Sequence, residues 1–223
     1  MATSPKAFTK SNTDKKLRVC KKGTAAQAIG TIKKNTDTFC LTYGQFSLID
    51  ALLAILDQTG PAHVAVSTWT AAHADLTRSA MSLETGEFLS FRMIVDRSFE
   101  TRQPDYHQHM IRLFGAESIR AINTHAKFLI VRNDNWNIVV RTSMNLNGNP
   151  RLENIEVSDN AEFADFFQKI VDGVFSEVNP GEKKEDVPEL PGIQETINFP
   201  LISAKTIKRE ALNEASYTHT IDN

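Results

Sequence analysis

The residues best suited to chemistry lie in one stretch, THAKFLIVRNDNWNIVVRTSMN, residues 124 to 145. His125 and Lys127 open an apolar segment, and Arg141, Ser143 and Asn145 alternate where a second one ends. Side chains alternate between faces along an extended chain, so His125 and Lys127 point one way while Phe128 and Ile130 point the other. A three-residue loop at Asn133, Asp134 and Asn135 sets Arg132 opposite Trp136, Lys127 beside Arg141 and His125 beside Ser143. Asn145 follows two residues on, toward the same side. Such a cluster suits phosphoryl chemistry. Imidazole serves as nucleophile or proton carrier near neutral pH, an ammonium meets non-bridging oxygens, and Asn and Ser donate fixed hydrogen bonds. Neither a carboxylate pair nor a metal is required. The plainer alternative is a polar strand end over a core hairpin, with His125 half-buried and satisfied. The convergence of five polar groups weighs against it.

Alternating elements must position this hairpin. The pattern predicts a strand at 38–42 and a helix opening at Ser47, where Asp50 three residues on gives a capping-box-like signature, and ending at Gly60-Pro61. Phe46, Ile49, Leu52, Leu53 and Leu56 share its apolar face. A strand at 63–67, a helix at 71–81, a strand at 91–95 and a helix from Pro104 to Gly115 follow. After the hairpin come a strand at 152–157 and a helix at 161–175, whose apolar face holds Phe163, Phe166, Phe167, Ile170 and Val174. Strands alternating with helices imply an α/β fold. Its β-sheet is mixed, because the hairpin is antiparallel, and is sandwiched by helices.

With 223 residues, 41% of them hydrophobic, the chain can bury one good core. Three parts are expected: a basic N-terminal arm over 1–36, the α/β domain over 37–178, and a linker and tail over 179–223 with one short helix at 204–215. Residues 1 to 34 hold nine Lys and Arg against Asp14 alone, leaving the remainder acidic despite a net charge of −2 overall. Such an arm fits contact with a phosphate backbone, or a solvated tail. The longest apolar run, 48–56, contains Asp50 and is far too short for a bilayer, and the N-terminus lacks the apolar core of an export signal. Cys20 and Cys40 form no C-x-x-C pair and no zinc spacing. A soluble cytoplasmic protein without membrane partner, cofactor or metal is expected.

Other marked residues lie upstream. Arg97 and Arg102, beyond the strand at 91–95, are placed to hold substrate phosphates or to pair with Asp96 and Glu100 at the surface. His107 and His109, two apart on a helix, share no face and suit no metal. Trp69 after the strand at 63–67 either stacks on a base or sugar or caps the core.

His125-x-Lys127, then Ser143-x-Asn145, then Glu153-Asn154 on an apolar strand resemble the H-x-K-x4-D…G-S-x-N…E signature of the phospholipase D superfamily. The similarity is greatest to members with one copy of the motif, including bacterial endonuclease-like proteins. It extends over about residues 38 to 175, where TYGQFSLIDALL, STWTA, DRSFETRQP and THAKF in order resemble a phage and prophage branch. Two positions depart from the signature. Arg132 stands where the family has Asp, with Asp134 displaced into the turn, and Thr142 stands where it has Gly.

The resemblance implies a phospholipase D-like fold and a catalytic set of His125, Lys127, Ser143, Asn145 and Glu153. Arg141 from the hairpin cluster, and Arg97 and Arg102 from the loop beyond the strand at 91–95, are the expected substrate-binding residues. Glu153 would orient an imidazole, its plainer role being an edge-strand charge. The family pairs two motif copies: one His attacks phosphorus to give a phosphohistidine, and the other protonates the departing oxygen. Of six His here, His125 alone is followed two residues on by Lys. The second copy must then come from a second chain, which implies a symmetric homodimer. The expected function is a metal-independent nuclease in the cytoplasm of a bacterium or a phage-infected cell. The alternatives are a catalytically silent DNA- or phosphate-binding module and a phospholipid phosphodiesterase.

Overall fold

A computed structural model describes residues 14–148 and 150–184. Among the described residues nine strands make one mixed sheet: β1 (Asp14–Cys20), β2 (Thr36–Thr42), β3 (Ala62–Thr68), β4 (Phe88–Asp96), β5 (Ile119–Ile122), β6 (Phe128–Arg132), β7 (Asn137–Thr142), β8 (Glu153–Asp159) and β9 (Lys183–Lys184), in the order β1-β2-β8-β7-β6-β3-β4-β5-β9. The central strands β2, β8, β7, β6 and β3 pair antiparallel, while β1 joins β2, and β4, β5 and β9 follow β3, in parallel. The helices are α1 (Ala25–Ile29), α2 (Leu48–Thr59), α3 (His73–Glu84), α4 (Phe99–Arg102), α5 (Pro104–Phe114) and α6 (Ala161–Glu177).

Strand alternation divides the core between the two sheet faces. Val64, Val66, Leu129, Val131, Ile138 and Val140 pack with α2 residues such as Ile49, Leu52 and Ile55 on one face. Ala65, Ile94, Phe128 and Ile130 pack with Val171 and Val174 of α6 on the other. The expected sandwich of a mixed sheet between helices is the observed one. Local chemistry sets its ends as expected: the Ser47 N–H donates to Asp50 Oδ2 at 2.7 Å where α2 starts, and Gly115 takes φ 75° where α5 stops.

Three expectations are corrected. Residues 14–29, assigned to a basic arm, supply β1 and α1, whose Ala25, Ala28 and Ile29 join the main core. Residues 1–13 of that arm, and the tail from 185 with its expected helix, lie outside the described residues. The hairpin loop has four residues, Asn133 to Trp136, because Asn133 Oδ1 accepts from the N–H groups of Asn135 and Trp136 at 3.0 and 2.9 Å, a side-chain-closed turn. The register is therefore Phe128 opposite Arg141 and Arg132 opposite Asn137, one residue from the expected pairing. On α6 the buried set is Ala164, Val171, Gly173 and Val174, while Phe166 stays 36% exposed.

Candidate active site

Strand direction gathers the marked residues at one end of the sheet. β6 runs antiparallel to β3 and β7, so the chain before Phe128 meets the C-terminal ends of β3 and β7 and the start of β8. β4 runs parallel to β3 and ends on the same side. His125 and Lys127 lie in the loop just ahead of β6, and buried partners fix that loop. Ser67 Oγ donates to the Ala126 carbonyl at 2.8 Å, Ala126 N–H donates to Thr124 Oγ1 at 3.1 Å, and Thr124 N–H donates to Asp96 Oδ2 at 3.2 Å. Thr142 N–H donates to the Lys127 carbonyl at 3.2 Å, extending the β6–β7 ladder by one bond.

Lys127 Nζ lies 3.2 Å from His125 Nδ1 and donates to the His125 carbonyl at 3.0 Å. A charged ammonium has only hydrogens to offer, so Nδ1 is the acceptor in this contact, which in a neutral imidazole leaves the ring proton on Nε2. Burial pushes the Lys127 pKa below its usual value, and the negative charge of Glu153 opposes that shift. Glu153 Oε2 accepts from Ser143 Oγ, which in turn accepts from the Asn154 N–H at 3.0 Å. Thr142 Oγ1 donates to the Asn154 carbonyl at 2.6 Å and accepts from the Met144 N–H at 3.0 Å. Thr142 thus shapes the turn that carries Ser143.

Asn145 joins the site from the side of β3. Its Oδ1 accepts from Trp69 N–H at 3.3 Å and from Thr68 Oγ1 at 3.4 Å. Its side-chain NH₂ has no partner among the described residues and is free to meet a ligand oxygen. The Trp69 ring lies 5.7 Å from the His125 ring, centroid to centroid.

Comparison with known proteins adds the following. No family model matches the chain, and no curated protein matches it. Among solved structures it is similar to NucT from Helicobacter pylori, at 14% identity and TM-score 0.47, over 65% of this chain and 99% of that one. It is similar to Nuc from Salmonella typhimurium, described as a phospholipase D family member, at 17% identity and TM-score 0.39, over 53% and 80% of the two chains. It is also similar to polyphosphate kinase from Porphyromonas gingivalis, at 14% identity and TM-score 0.44, over 67% of this chain and 27% of that one.

The expected site residues fall into three groups. His125 and Lys127 meet directly, Ser143 and Glu153 form a second pair whose charge acts on Lys127, and Asn145 reaches the cluster through Trp69. Arg102 lies over the Trp69 ring, and Arg97, half-buried at the end of β4, donates its N–H to the Ile122 carbonyl at 2.8 Å. Arg141 does not join them. The shifted register puts it on the α6 side, 2.6 Å from Glu156 Oε1 and over the Phe163 ring. Arg132 lies at the far end of β6, 2.8 Å from Asp165 Oδ1 and donating to Asn137 Oδ1 at 3.0 Å.

His107 and His109 face different neighbours, Phe99 for one, His73 and Thr77 for the other. Asp96 was missed as an organiser. Nearly buried, it accepts from Thr124 N–H ahead of His125 and from Ser98 N–H and Oγ, and Ser98 Oγ accepts from Arg102 Nε at 2.9 Å. A strand-terminal Asp followed two residues on by Ser is the signal in the sequence that could have found it.

Proposed function

We propose that the chain is a phospholipase D-like phosphodiesterase that cleaves nucleic acid without a metal, through a phosphohistidine on His125. The observation that supports this most strongly is the Lys127 ammonium 3.2 Å from His125 Nδ1, at the end of the sheet where Asn145 also converges. A phosphate entering there draws the ammonium to its non-bridging oxygens. Nδ1 then takes the ring proton and Nε2 presents a lone pair to phosphorus. The N–P bond forms as the P–O bond to the departing oxygen breaks, and that oxygen takes its proton from the partner subunit's His125. Water next attacks the phosphohistidine, giving its proton back to the partner's His125, and the N–P bond breaks to release His125. Lys127 and the Asn145 amide offset charge on the pentacoordinate phosphorus throughout.

Arg132 and Thr142, the two departures from the family signature, do not weaken this reading. One lies at the opposite end of β6, and the other still supports Ser143 and Asn154. The second reading is a catalytically silent module of the same fold that binds DNA or phosphate through Lys127 and Asn145.

A panel of a small bis-diester, single- and double-stranded DNA, RNA and phospholipid, all with a chelator, tests the proposal. Cleavage of nucleic acid by wild type and none by His125→Asn is expected. Cleavage of phospholipid alone would move the assignment to lipid, and no cleavage of any diester would leave the binding module.

A further inference from the structure

The Trp69–Arg102 pair beside His125 goes beyond phosphate holding. Arg102 Cζ sits 3.8 Å from the Trp69 ring centroid, so the guanidinium lies over the indole. Two hydrogen bonds fix the plane: Nε donates to Ser98 Oγ at 2.9 Å and Nη2 donates to the Trp69 carbonyl at 3.1 Å. Both anchors are themselves held, Ser98 by Asp96 and the Trp69 backbone by Asn145. Arg102 is nevertheless exposed, and its Nη1 has no partner among the described residues. The cation is thus held over the indole with its rotation restrained by two hydrogen bonds, and a planar guanidinium suits both aromatic stacking and phosphate contact.

We propose that Arg102 and Trp69 form a stacking platform for one unpaired nucleobase next to the scissile phosphate, which makes single-stranded nucleic acid the substrate class. The proposal rests on the nuclease reading only for the position of the phosphate at His125. A base, the guanidinium and the indole then form a three-layer stack, with Nη1 at its edge for a neighbouring phosphate oxygen. Inside a duplex both faces of a base are occupied by its neighbours, so the platform selects against paired strands. Asp96 couples the platform to the site, since its two carboxylate oxygens hold the Arg102 anchor on one side and the His125 loop on the other.

The test uses the full chain and fluorescence anisotropy, with two phosphorothioate-linked probes of equal length, oligothymidylate and an abasic oligomer of the same backbone. Wild type should bind oligothymidylate roughly 5- to 150-fold more tightly than the abasic strand, the range for loss of one stacked base. Arg102→Lys keeps the charge but not the plane and should bring that ratio toward one, as should Trp69→Leu. Circular dichroism identifies any variant that fails to fold. A ratio near one in wild type, a ratio unchanged in Arg102→Lys, or no binding of either probe overturns the platform. Binding needs no turnover, so a base preference in a protein that cleaves no diester would retain the platform and sink only the nuclease reading.

Discussion

The Lys127 ammonium and the His125 imidazole are in direct contact, Nζ to Nδ1 at 3.2 Å, with the same ammonium donating to the His125 carbonyl. Residues two apart in sequence thus share one proton network. Burial favours the neutral amine, lowering the Lys127 pKa from the usual 10.5 against the opposing charge of Glu153. As pH rises the ammonium is lost earlier than in a free Lys, and with it the attraction for phosphate. Cleavage should therefore fall along an alkaline limb below pH 10.5. In Lys127→Arg, whose guanidinium keeps its proton, any remaining activity should lack that limb. A limb of unchanged position in the Arg variant would assign it to another group.

Lys127→Ala tests whether the charge meets the ground state as well as the transition state. Binding and turnover should both weaken, measured as a rise in KM and a fall in kcat. An unchanged KM would confine Lys127 to the transition state.

Ser143 links Glu153 to the Asn154 N–H at the end of β7. Ser143→Ala leaves both groups to water, and because the site is exposed the cost to stability should be only about 1 kcal/mol. Its larger effect should be a loss of kcat, rescued in Ser143→Thr, which keeps the hydroxyl. A urea midpoint that drops without any change in kcat would make the pair purely structural.

The first helix offers a check on the fold itself. Ile29 is 1% exposed within the main core, so Ile29→Ala should cost about 2–5 kcal/mol in urea unfolding. A change of a few tenths, about what a solvated arm gives, would contradict the packing of α1.

Those residues mark where the sequence was hard to read. Apolar periodicity and end signals made α2 and α5 legible, since Ser47 with Asp50, Pro104 and Gly115 act locally. The Lys-rich run around β1 resembles a solvated arm, because an edge strand with Leu17 at 79% exposure has no buried face to betray it. The hairpin register turned on Asn133, whose side chain closes a four-residue turn that backbone patterns alone do not announce. That single residue moved Arg141 from the candidate site to the α6 side, whereas Ser143 and Asn145 kept their place because the ladder ends at Thr142. Asp96 looked like a surface charge. Ser98 stands two residues on, but Thr124, 28 residues away, is brought to its second oxygen only by the fold.

One chain carries one His-x-Lys pair, and the proposed chemistry uses two imidazoles. Light scattering at protein concentrations on the order of tens of micromolar should give a mass near twice the single-chain 24.9 kDa. An active monomer would require another proton donor for the departing oxygen.

The central claim is a covalent phosphorus on His125, and trapping tests it most directly. Wild type mixed with a single-stranded oligonucleotide bearing labelled phosphate is quenched in alkali, where an N–P bond survives, and digested for peptide mass spectrometry. The label should sit on His125, and His125→Asn should carry none and cleave nothing while binding the strand nearly as well as wild type. Cleavage that persists in His125→Asn, or wild-type turnover that never labels His125, would contradict the account.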